Sequence, residues 1–167
     1  MGSNAGNPTS SPAATLGGRL LQLVGDRDAA RFSREVSRVC AELHPPGRRP
    51  VYGDVLAWVV EATAGVIIAR LGGTGPEQTS ILDVRFADGR YVDGEALPAS
   101  ERWVLRTVSA FLAEDVVAGE RSLTAAEQFD IALRAEILAD ALIWLDLVLL
   151  RGRPVTGTLV PADADWL

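Results

Sequence analysis

Apolar residues recur along most of this chain with the period of a helix. In "GDRDAARFSREVSRVCAELHPPG", Ala29, Phe32, Val36, Val39 and Leu43 follow one another at steps of three and four, which puts them on one stripe of a helix. Asp26 or Asp28 is suited to cap its start, and Pro45 and Pro46 must end it. Upstream, "AATLGGRLLQLV" predicts a shorter helix weakened by Gly17 and Gly18. A third, from about Asp54 to Leu71, is apolar nearly all round and stops at "GGTGP", so it is expected at the centre of the fold. "LPASERWVLRTVSAFLAEDVVAG" reads as a fourth helix, with Pro98 near its first turn. The fifth is expected to open at Thr124, where Glu127 completes a capping box, and to continue to Leu150.

The period changes in "SILDVRFADGRYVDG". Asp88-Gly89 between β-branched and aromatic residues is the dipeptide of a two-residue type I′ turn, predicting a hairpin over about residues 81–93. The expected fold is mainly α: about five helices in a single bundle-like domain with one small β-hairpin. Residues 1–14 read as a disordered lead, 15–151 as the helical domain and 152–167 as an extended or disordered tail without helical period.

Composition narrows the chemistry. At 167 residues the chain has the length of one domain, able to bury roughly two thirds of its unfolded surface. One cysteine, Cys40, excludes an internal disulfide, and one histidine, His44, excludes sites needing two imidazoles. Their spacing of four suits a packed helix end better than a metal site, since two ligands are half a site. The start of the chain has neither the basic residues nor the apolar stretch of a secretory signal. Glu61 interrupts the longest apolar run, which favours a soluble, cytoplasmic protein over a membrane span. Residues 1–70 hold eight Arg against six acids and residues 71–167 eight against sixteen, for a net charge of −6. An acidic chain is a poor general nucleic-acid binder.

Three sets of residues are candidates for a site. Glu136 and Asp140 lie one turn apart on the fifth helix, and Asp54 and Glu61 two turns apart on the third beside Ala57, Ala64 and Gly65. If those faces met, four carboxylates would need Mg²⁺, Mn²⁺, arginines or shared protons to offset their repulsion, and with a metal they would suit chemistry on nucleotides or other phosphate esters. The spacings do not match the Glu-x-x-Glu and Glu-x-x-Asp pairs of the all-α nucleotide pyrophosphohydrolases. The simpler expectation is that each pair is the solvent stripe of a core helix. Arg27, Arg31, Arg34 and Arg38, at steps of four, three and four, form a basic ridge that suits an acidic partner or another copy of the chain, though the simpler expectation is a solvated face partly neutralised by Glu35. Trp166, in the terminal "DADWL", is a third candidate contact for a partner.

No phosphate loop, calcium loop or persuasive nucleophile triad is present in the sequence. The expected function is therefore a non-catalytic interaction or regulatory protein that self-associates or binds another protein, without a cofactor. The alternative is the metal-dependent enzyme just described. An apolar ligand pocket lined by Trp58 and Trp144 is a third possibility, because sequence does not reveal cavities.

Overall fold

The computed structural model describes residues 11–41, 51–71, 78–79, 96–150 and 160–161. They are mainly helical: α1 (Pro12–Gly25), α2 (Ala29–Ala41), α3 (Val51–Leu71), α4 (Ala99–Leu112), α5 (Val116–Ala126) and α6 (Ile131–Leu150). A two-residue antiparallel pairing joins β1 (Gln78–Thr79) to β2 (Val160–Pro161). It is not the local hairpin expected over residues 81–93, which lie outside the described residues, as does most of the expected tail.

Six helices stand where five were expected, because the fourth and fifth expected segments break elsewhere. α4 ends at Leu112 with Ala113 as its cap, and Glu114 adopts a left-handed conformation at φ 58°. Its N–H bonds the Phe111 carbonyl, and the Asp115 N–H bonds that of Ala110 at 2.9 Å. This is the Schellman pattern that satisfies the last carbonyls of a helix. Asp115 then turns the chain into α5, its Oδ1 accepting from the Ala118 N–H at 3.0 Å. The capping box expected at Thr124 and Glu127 does not form at a helix start. Glu127 is instead the C-cap of α5, and Asp130 caps α6 by accepting from the Leu133 N–H at 2.9 Å.

The first boundary repeats the device. α1 opens at Pro12, one residue ahead of the expected start, behind Ser11, whose hydroxyl accepts from the Ala14 N–H. At its other end Arg27 is left-handed at φ 57°, its N–H bonding Val24 and that of Asp28 bonding Leu23. Asp28, rather than Asp26, caps α2 through the Arg31 N–H.

The core confirms the central place of α3. Val55, Leu56, Val59, Val60 and Ile67 are buried against Ile137, Leu138, Leu142 and Leu145 of α6 and against Val104 and Val108 of α4. α3 packs on all five other helices. Two contacts orient it against α6: Arg134, near the start of α6, sits over the Tyr52 ring near the start of α3, and Arg70 bonds the Leu149 carbonyl where both helices end. The two most apolar helices therefore run parallel. Two buried hydroxyls are satisfied locally: Thr63 and Thr107 donate theirs to the carbonyls of Val59 and Trp103 one turn back.

α3 is long and apolar enough to cross a membrane, the only such helix among the described residues, and half of its most apolar window is buried inside the bundle. A core helix of this length passes the same test of composition.

Candidate functional site

The four carboxylates are dispersed. Glu61 and Glu136 are exposed, while Asp54 and Asp140 are half-buried. α3 and α6 do pack together, but through the faces that hold Val59, Val60, Leu138 and Leu142 rather than those that hold the acids. Gly65, placed among the small residues that were expected to permit close approach, is exposed and has open space where a side chain would project. Among the described residues, no three His, Cys, Asp or Glu side chains come together to hold a metal.

The basic ridge is shorter than its spacing implies. Arg31, Arg34 and Arg38 are exposed on α2, but Arg27 lies in the left-handed turn before the helix and is off its line. Arg38 bonds Glu35 at 2.9 Å, and Arg19 of α1 reaches the other carboxylate oxygen of Glu35 at 3.5 Å. The hydrogen bond from Arg38 is the main reason that the Glu35 pKa is lowered. Glu35 thus ties α1 to α2 and neutralises part of the ridge. Trp166 and His44 lie outside the described residues.

The face of α6 that carries Glu136 and Asp140 changes character along its length. Ile143, Leu147 and Leu150 follow Asp140 at steps of three and four, and they are 42%, 37% and 72% exposed. These five positions fall within about a quarter of the helix circumference. The result is a strip that is acidic toward the start of α6 and apolar toward its end. Scattered apolar side chains are ordinary on a surface, but an aligned row of branched ones is the form taken by a packing seam.

A different group of residues gathers at the opposite end of α3 and α6. Cys40, at the end of α2, is buried, and Tyr52, in the first turn of α3, is 1% exposed. The Arg134 guanidinium carbon lies 5.5 Å from the centre of the Tyr52 ring. Glu127, in the turn between α5 and α6, sets its carboxylate against Gly53, where the missing Cβ leaves room for it. Removal from water dominates the chemistry of this node. It pushes the Cys40 thiol up to about 11 and raises the Tyr52 phenol further, an effect that Cys40 and Glu127 reinforce and Arg134 opposes for Tyr52. Both groups are therefore protonated near neutrality, and Cys40 is an unreactive thiol.

Within that node the Tyr52 hydroxyl and the Arg134 Nε are buried, and neither has a hydrogen-bond partner. Sequence reading missed both residues. Tyr52 stands directly after the apolar Val51, and Arg134 is one charge on the flank of an apolar helix, so neither belongs to a recognisable spacing. Only the parallel packing of α3 and α6 brings them together. The chain as a whole matches no protein-family model, no curated protein and no solved structure.

Proposed function

We propose that the protein is a non-catalytic interaction module that self-associates through the exposed face of α6. The observation that carries this reading is the row Ile143, Leu147 and Leu150, which leaves branched apolar side chains in water along one line. The charge on the same face favours a second copy as the occupant. Its acids, Glu136 and Asp140, are confined to the first half of the strip, so two copies laid antiparallel bury row against row and hold their acids at opposite ends. With the symmetry axis near Leu147, the two Glu136 positions lie roughly 33 Å apart at a rise of about 1.5 Å per residue, beyond the screening length of physiological salt. A parallel pairing would set like charges side by side. The antiparallel form also closes as a twofold dimer, with the same patch used by both copies.

Sedimentation velocity of the full chain over a range of concentrations tests the reading. The wild type is expected to sediment as a dimer at micromolar concentration, and Leu147→Glu, which sets two carboxylates across the seam, as a folded monomer. A wild type that stays monomeric to several hundred micromolar, or a Leu147→Glu dimer, disposes of the α6 seam.

A further inference from the structure

We propose that Arg134 and Tyr52 form a binding site for a small oxyanion, a carboxylate or a phosphate, at the end of the molecule where α3 and α6 begin. This goes beyond the self-association reading and does not depend on it, because the site lies at the end of α6 opposite to the exposed apolar row.

Arg134 holds a permanent positive charge, and its guanidinium carbon lies over the face of the Tyr52 ring, 5.5 Å from the centre. A ring face offers a cation some attraction, but it takes no hydrogen bond from a guanidinium edge. The Nε of Arg134 is buried and without a hydrogen-bond partner, and the hydroxyl of Tyr52, the residue whose ring it overlies, is in the same state. Cys40, buried on α2 and kept protonated, adds a third weak donor to this end of the bundle. Leaving such donors unmatched in a low-dielectric interior is costly, and a ligand that brings acceptor oxygens and a negative charge relieves both deficits. The planar edge of a guanidinium matches an oxyanion with two parallel hydrogen bonds, and a phenol is able to contribute another. Glu127 is the acid of this node: its carboxylate lies against Gly53, and it has interactions of its own. The node is thus rich in donors, whereas the four carboxylates first considered from the sequence are acceptors only and are dispersed. That contrast decides the class of ligand: an anion at Arg134 in preference to a cation at the acids.

The experiment follows the Nε–Hε resonance of Arg134 in the full-length protein by ¹H–¹⁵N spectroscopy, assigned with Arg134→Lys. Sodium acetate and, separately, sodium phosphate are titrated at constant ionic strength made up with chloride. A saturable downfield shift with acetate alone identifies a carboxylate site, and one with phosphate alone a phosphate site. Tyr52→Phe is expected to fold at least as well as the wild type, since it removes only an unmatched hydroxyl, and to weaken binding roughly tenfold or more. If neither anion moves the resonance, or if it only drifts linearly as exposed Arg121 does, the proposal is overturned. It is equally overturned if Tyr52→Phe folds and titrates as the wild type does. Should Tyr52→Phe fail to fold, the wild-type titration decides alone.

Discussion

Gly17 and Gly65 both sit inside helices, yet their surroundings predict opposite effects of the same substitution. A Cβ on Gly17 would run into the six-membered ring of Trp58, so the missing side chain is what lets α1 close on α3. A Cβ on Gly65 would meet nothing within 4 Å. Alanine in a helix interior is favoured over glycine by up to about 1 kcal/mol, whereas forcing a methyl group into a packed contact costs about 1–3 kcal/mol. Gly65→Ala should therefore stabilise the protein by about 0.5–1 kcal/mol, and Gly17→Ala should destabilise it by about 1 kcal/mol or more. Urea denaturation with both variants measures this as midpoint shifts of opposite sign. A loss of stability in Gly65→Ala would mean that something packs closely on that face of α3.

The two left-handed residues explain at the level of elements why some boundaries were legible in the sequence and others were not. The stripe of α2, the central place of α3 and the capping role of Asp28 all follow from periodicity and side-chain chemistry, because each depends on neighbours a few positions away. The break between α4 and α5 uses the same backbone turn as the one between α1 and α2, but with Glu114 where glycine is the usual residue. Without a glycine or proline to mark it, "FLAEDVV" reads as continuous helix. The candidate site was less legible still, since Tyr52 and Arg134 are 82 positions apart and meet only through tertiary packing. Left-handed backbone costs a residue with a Cβ roughly 1 kcal/mol that glycine avoids. Arg27→Gly and Glu114→Gly should each stabilise by up to about 1 kcal/mol, as checked by thermal or chemical unfolding. Both substitutions sit where the following Asp caps the next helix, so a loss of stability would show that the side chain, rather than the turn, holds the boundary.

At the scale of the whole molecule, the parallel packing of α3 and α6 separates a buried node from an exposed apolar row. The starts of these helices hold Cys40, Tyr52, Glu127 and Arg134, and the final turns of α6 present Ile143, Leu147 and Leu150. If two copies pair antiparallel along α6, a cysteine placed near the symmetry axis meets its own counterpart, while one placed at the acidic end does not. Cys40 need not be removed for this test, because it is buried and its raised pKa keeps it out of thiol exchange. Under mild oxidation Leu147→Cys should form an intermolecular disulfide within the dimer, since facing positions on a close-packed helix pair approach the separation of about 5.5–6 Å between Cα atoms that a disulfide requires. Glu136→Cys should remain reduced, its two copies being roughly 33 Å apart. Non-reducing electrophoresis distinguishes the arrangements: cross-linking at position 147 alone supports the antiparallel dimer. Comparable cross-linking at both positions indicates a parallel seam, which the charge on Glu136 and Asp140 opposes, and cross-linking at neither removes α6 from the interface.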